Sequence, residues 1–238
     1  MKLLVSVINE KEALIAYQSR VDIIDIKNPR EGSLGANFPP IILKIRRLLP
    51  KAKISATIGD MPNLPGTASL AGFGAAACGV NYVKVGLYGI KKENEATYFL
   101  ENLVDSVKKL NSSIKVVAVC YADYRAINSL NPLSLPKIAK KTGIDIVMID
   151  VKEKRNGNLF EILPREKIKD FIRKSKRKGL TTALAGSLNK NHIGEVWKIG
   201  ADIFGVRGAV CSKDRNSAIE KNKLEELVSE FEKFRKKS

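Results

Sequence analysis

The sequence is poor in the residues that usually announce metal and redox chemistry. One histidine, His192, stands alone among 238 residues. That speaks against a histidine-built metal centre, and no metal is expected. His192 falls in a helical pattern and is read as a surface or capping residue. The cysteines, Cys78, Cys120 and Cys211, are far apart. They offer no paired metal spacing and no disulfide framework, as in a reducing compartment. Aromatic residues are few and do not interleave with basic ones as on a single-strand nucleic-acid platform. No apolar run approaches the roughly 18 residues that cross a bilayer, and residues 1–5 lead into a strand pattern rather than a signal peptide. A soluble, cytoplasmic protein with no membrane partner is expected. No linker or low-complexity segment interrupts the chain, so residues 1–238 are expected to form one domain.

Acidic residues are scarce beside basic ones, 25 against 42, for a formal net charge of +17. Such a field can draw an anionic substrate into a cleft. It can equally be a dispersed lysine-rich surface of the kind common in thermophile proteomes. The basic residues are spread over helix faces and the C-terminal run 233–237. No nucleic-acid partner is expected, although the charge keeps a nucleic-acid-binding protein as a rival reading.

Short apolar runs alternate with longer helical patterns. Strands are expected at 2–7, 21–27, 53–58, 82–87, 114–120, 145–150, 181–185 and 202–206. Helices are expected at 10–17, 39–48, 68–78, 93–110, 135–142, 165–177, 190–198 and 224–234. Strands alternating with helices imply a parallel sheet with right-handed crossovers. Eight such units in this length point to an α/β fold, a single (β/α)8 barrel. A doubly wound open sheet is the alternative, but no G-x-G-x-x-G follows the first strand, where a dinucleotide site would want it.

Barrel active sites lie at the C-terminal ends of the strands. Polar residues there are therefore the candidates. Lys27 closes an apolar run, an expensive place for an unpaired ammonium. Asp25 lies two residues earlier on the same strand face. Lys84 repeats the pattern in the fourth strand. Burial and mutual repulsion would favour neutral amines, which suits Schiff-base and proton-transfer chemistry on a carbonyl. Gly59-Asp60 follows the third strand, Tyr121 and Asp123 the fifth, and Asp150 ends the sixth. Gly186-Ser187 and Arg207-Gly208 occupy the ends of strands seven and eight, where this fold usually cradles phosphate. Residues 28–37 form a glycine-containing loop that is either a lid or a static connector. A mobile loop is expected around Gly157 and Asn158, after a segment carrying Lys152, Lys154 and Arg155.

Several of these motifs resemble the archaeal (5-formylfuran-3-yl)methyl phosphate synthases, also called 4-hydroxymethyl-2-furancarboxaldehyde phosphate synthases. The resemblance is carried by Asp22-Ile23-Ile24-Asp25-Ile26-Lys27-Asn28-Pro29, Ser55-Ala56-Thr57-Ile58-Gly59-Asp60 and Tyr82-Val83-Lys84-Val85-Gly86-Leu87. It continues in Ala183-Leu184-Ala185-Gly186-Ser187 and Gly205-Val206-Arg207-Gly208-Ala209. It implies a barrel lyase of methanofuran biosynthesis that condenses two glyceraldehyde 3-phosphate molecules, losing phosphate and water, with no cofactor. It also implies a Schiff-base lysine at Lys27, an acid/base lysine at Lys84, and a functional Asp150 with Lys154, Lys152 remaining possible for the last. Asp25 or Asp150 would orient the amines. Gly186, Ser187, Arg207 and Gly208 would hold phosphate. A different Schiff-base aldolase or phosphate-binding barrel lyase is the nearest rival. Self-association through the outer helices is expected, as for many barrels of this size.

Overall fold

Eight parallel strands close on themselves in the order β1 to β8 in the computed structural model, which describes residues 1–236. Lys237, at the end of the basic C-terminal run, lies outside the described residues. The first half of the chain runs β1 (Lys2–Val7), α1 (Glu10–Gln18), β2 (Ile23–Ile26), α2 (Pro39–Leu48), β3 (Ile54–Met61), α3 (Pro65–Ala77), β4 (Tyr82–Leu87) and α4 (Glu93–Leu110). The second half runs β5 (Lys115–Tyr121), α5 (Leu135–Thr142), β6 (Ile146–Asp150), α6 (Leu159–Ile162), α7 (Arg165–Lys176), β7 (Thr181–Leu184), α8 (Ile193–Ile199), β8 (Ile203–Val206) and α9 (Lys221–Arg235). No helix among the described residues is long and apolar enough to cross a membrane.

The expected barrel is therefore present, with local corrections. β2 is shorter than the 21–27 run. Arg20 takes a positive φ of 60°, and the Asp22 carboxylate accepts the Leu3 amide at 2.6 Å, so the chain turns before it pairs. β3 runs on through Gly59 and Asp60 after a register shift between Thr57 and Asp60. Asp60 thus belongs to a bulged strand, not to a following loop. The pattern at 190–198 divides into a 3-10 turn over Lys190–His192 and α8. The loop expected near Gly157 instead contains a 3-10 turn over Lys154–Asn156 and the unforeseen α6, capped by the Asn158 side chain.

Strand residues alternate between two cores. One parity faces the helices and builds the larger cluster, including Val5, Ile24, Ile26, Val83, Val85, Val147 and Ile149. The other parity fills the lumen with Leu4, Ile23, Val117, Ile146, Met148, Ala183 and Ile203. Ser6, Asp25, Lys84 and Asp150 continue the lumenal parity toward the C-terminal ends, above this apolar floor. The register does the rest. Ser6 is level with Asp25, Asp25 with Ser55, Thr57 with Lys84, and Tyr121 with Asp150.

Gly86 of β4 shows how tightly the upper lumen is filled. A Cβ there would lie 1.9 Å from Tyr121 Oη and 2.9 Å from Leu34 Cδ1. Overpacking of this kind costs about 1–3 kcal/mol. Gly86→Ala is expected to lower the thermal unfolding midpoint measurably. An unchanged midpoint would contradict the close approach of Tyr121.

Candidate functional site

A cavity of about 570 Å³ opens at the C-terminal mouth of the barrel, lined by Lys27, Lys84, Asp150, Lys154, Ser187 and Arg215 among others. Lys27 follows β2 immediately, and its amide still joins the sheet, donating to Val7 O at 2.9 Å. Its side chain is 5 % exposed. The ammonium donates to the Ser33 carbonyl at 3.3 Å. Burial pulls its pKa from 10.5 to about 7. Asp150 opposes the shift, while Lys84 and Lys154 add to it. Near neutrality a substantial fraction of Lys27 is therefore a free amine able to attack a carbonyl.

Asp25 does not pair with Lys27, although the two share a strand face. Its carboxylate takes Lys84 Nζ at 2.6 Å on Oδ2. Ser6 Oγ donates to the same oxygen at 2.8 Å, and Ser55 Oγ to Oδ1 at 2.8 Å. Both charges are almost completely buried. Of the two aspartates expected to orient the amines, Asp25 takes Lys84, as a buried ion pair, because the barrel register brings it to the lysine's tip. The two serines, which carried no signal in the sequence, are the donors that keep Asp25 satisfied.

Asp150 stands beside Lys27 and Lys154. Burial alone would raise its carboxyl, but Lys154 and then Lys27 outweigh it and hold the pKa below the usual value. Lys154 Nζ is in direct contact with Asp150 Oδ1. The Val151 amide donates to that same oxygen at 2.7 Å. Burial lowers the Lys154 pKa against the pull of Asp150. Of the two loop lysines, Lys154 faces the cavity. Lys152 points elsewhere, 3.7 Å from Asp60 and 4.8 Å from the centre of the Tyr88 ring.

Tyr121 donates to Asp60, and burial, followed by the Asp60 charge, raises its pKa well above normal. Asp123 accepts the Lys152 and Glu153 amides at 2.9 and 2.8 Å. It therefore braces the loop after β6, away from the cavity lining.

The strands seven and eight cradle is only partly as expected. Gly186 has φ +109°, and a Cβ there would meet Val151 Cγ2 at 2.7 Å. Ser187 follows at φ 52°, exposed at the cavity. Gly208 also lines it. Arg207 is corrected. Its guanidinium is turned into the protein, bonding Glu12 at 2.9 Å, Ser6 O at 2.8 Å, Arg215 O at 2.6 Å and Ser217 O at 3.2 Å. Four of its five donors are consumed, so it ties β1, α1 and the loop after β8 together. Arg207 still borders the cavity, as do Arg155 and Arg215. Arg215, for which the sequence carried no expectation, keeps guanidinium donors that no acceptor among the described residues takes. Its position in the loop after the last strand was the available signal.

Residues 28–37 are pinned over Lys27. Leu34 is fully buried in the lumenal cluster, and its amide donates to Asp60 at 3.2 Å. Ser33 Oγ donates to Val151 O at 2.8 Å, and Thr57 Oγ1 to Gly35 O at 2.7 Å. Arg215 Nη2 donates to Gly32 O at 2.8 Å. These contacts make the segment a fixed cover in this structure.

Residues 3–228 match the family described as 4-HFC-P synthase. A (5-formylfuran-3-yl)methyl phosphate synthase of Methanosarcina barkeri is 48% identical over 231 residues, covering 97% of this chain and 99% of the relative. The protein of the same name from Archaeoglobus fulgidus is 47% identical over 230 residues, covering 96% and 98%. Among solved structures, phosphoribosyl anthranilate isomerase of Thermus thermophilus superposes with a TM-score of 0.67 at 14% identity, covering 98% of this chain and all of that one. The last likeness speaks for the barrel alone.

Proposed function

The chain belongs to the 4-HFC-P synthase family, and from that membership we propose that it makes (5-formylfuran-3-yl)methyl phosphate from two molecules of glyceraldehyde 3-phosphate, through a Schiff base on Lys27. The observation that carries the reading is Lys27 itself, a buried amine at about pKa 7 on a cavity rich in cations.

The free amine adds to the C1 aldehyde of one triose, and loss of water gives an iminium. The iminium acidifies the C2 proton, whose removal yields an enamine. The enamine nitrogen then pushes electrons toward C3, breaking the C3–O bond and expelling phosphate. Lys154, held against Asp150, is placed to protonate or pair with the departing oxygen. The second triose keeps its phosphate and first moves its carbonyl from C1 to C2 by proton transfer. The enol carbon of the fragment left on Lys27, its C3, attacks that C2. The C2 carbonyl oxygen takes up a proton, and the C1 hydroxyl is left to close the ring on the fragment's C2. Ring closure and dehydration follow, and hydrolysis of the imine returns the free lysine. Two trioses thus give one furan aldehyde, one phosphate and two waters. Lys84 carries protons between Asp25 and the substrate. The backbone of Gly186-Ser187 and Gly208 holds the retained phosphate. In this reading the reaction belongs to methanofuran biosynthesis and the enzyme is a lyase that works without a cofactor.

Borohydride added with glyceraldehyde 3-phosphate is expected to leave a stable mass adduct on Lys27. Adduct formation should rise roughly tenfold per pH unit below about pH 7 and level off above it, because the free amine is the nucleophile and its pKa is near 7. A rate still climbing at pH 9, or an adduct on another lysine, would sink the assignment. The same incubation without borohydride should develop a furan aldehyde absorbance.

A further inference from the structure

We propose that Arg215, with Lys154, forms an anion site at the outer side of the cavity that takes the phosphate expelled from the first triose. The proposal rests on the two-triose reading above and assigns the residue that replaces Arg207. Arg215 lines the cavity. One guanidinium nitrogen, Nη2, is committed to the Gly32 and Ser33 carbonyls at 2.8 and 3.3 Å. Nε and Nη1 find no acceptor among the described residues, and they are not sealed inside the protein. They are donors left over at a cavity wall, in the planar geometry that suits phosphate.

The charges around Arg215 are arranged the same way. Lys154 and Arg155 also line the cavity. Lys154 is close enough for the Arg215 charge to disfavour its protonation. Asp150 is shared, acting on both cations. Asp60 also acts on both cations, but its Oδ1 takes the Tyr121 hydroxyl and the Leu34 amide and it is not among the cavity-lining residues. The donors that Arg215 and Lys154 present at the cavity therefore have room for another anion. The acidic neighbour Asp214 also lines the cavity and its charge acts on Arg215. It makes no ion pair with the guanidinium, however, and its Oδ1 accepts the Asn216 and Ser217 amides of its own turn at 2.9 and 3.1 Å. The site also touches the chemistry. Lys27 and Arg215 donate to the same Ser33 carbonyl, each at 3.3 Å, so an anion on Arg215 would sit one carbonyl away from the Schiff-base nitrogen.

The probe is inorganic phosphate, titrated calorimetrically into the full-length protein. Arg215→Gln is expected to weaken phosphate binding about tenfold or more, a factor of ten being about 1.4 kcal/mol. Arg215→Lys should weaken it less, since the charge remains. Lys213→Gln, an exposed change in the same loop, should leave it unaltered. In parallel, glyceraldehyde without a phosphate is trapped on Lys27 with borohydride. Equal labelling of wild type and Arg215→Gln is expected, because the amine itself is untouched. Unchanged phosphate affinity in Arg215→Gln overturns the proposal, as does absence of phosphate binding by the wild type. Loss of Lys27 labelling in Arg215→Gln also overturns it, by making Arg215 a brace for residues 28–37. If wild-type Lys27 fails to label while phosphate binding still depends on Arg215, the anion site stands and the Schiff-base reading falls.

Discussion

Lys27→Met is expected to abolish the borohydride adduct and to cut furan formation at least about a thousandfold, with little change in thermal stability. The activity loss follows from the loss of the nucleophile, since removing a covalent catalyst leaves only binding and general electrostatics. The stability expectation is less obvious and more informative. Met fills similar space, and nothing is orphaned. Ser33 O keeps Arg215 Nη2, and Asp150 keeps Lys154 and the Val151 amide. Burial already holds the amine near pKa 7, so the wild type bears the cost of desolvating this lysine, and Met removes it. A folded Lys27→Met protein that still turns over triose phosphate at the wild-type rate would end the proposed mechanism. One that has lost activity only by unfolding would overturn the local electrostatics described here.

The Asp25–Lys84 pair should behave in the opposite way. Lys84→Met leaves the Asp25 carboxylate fully buried with two serine hydroxyls and no cation. Breaking one side of a buried pair typically costs about 3–5 kcal/mol. We expect that loss in chemical denaturation, together with retained Lys27 labelling and no furan product. The double variant Asp25→Asn with Lys84→Met should recover most of the stability, because the uncompensated charge is gone, yet remain inactive. Recovery of stability without turnover separates the pair's proposed role in proton transfer from its role in holding the lumen together. If the double variant regains turnover, Lys84 is structural. If the single variant loses the Lys27 adduct as well, Lys84 acts earlier than the proton-transfer steps assigned to it.

How far the site was legible varies from residue to residue. Lys27, Lys84, Asp25 and Asp150 stood out because polar residues at the C-terminal ends of apolar runs are costly unless used. Lys27, Lys84 and Asp150 line the cavity, and Asp25 is buried in the lumen against Lys84. Their pairing was not legible. Strand parity placed Asp25 beside Lys27 along the chain, whereas closure of the barrel gave Asp25 to Lys84 and Asp150 to Lys154, leaving Lys27 with only the more distant charge of Asp150. Arg207 was misread for a related reason. Its position at the end of β8 matches the place where this fold usually cradles phosphate, but the Glu12 carboxylate from α1 takes its guanidinium, a contact spanning nearly the whole chain. Arg215 was missed because a basic residue in a polar turn, between Asp214 and Asn216, looks like ordinary surface.

Hydropathy alternation and the eight repeated strand–helix units are local properties, each readable within one window of the chain. They determined the barrel, its open end and the short set of residues able to do chemistry there. Which lysine has its pKa drawn down by burial and which is held in an ion pair, and which arginine keeps donors free at the cavity, depend on groups brought together from strands and loops distant in sequence. Burial and Coulomb interactions act through space, so only the closed tertiary structure decided them.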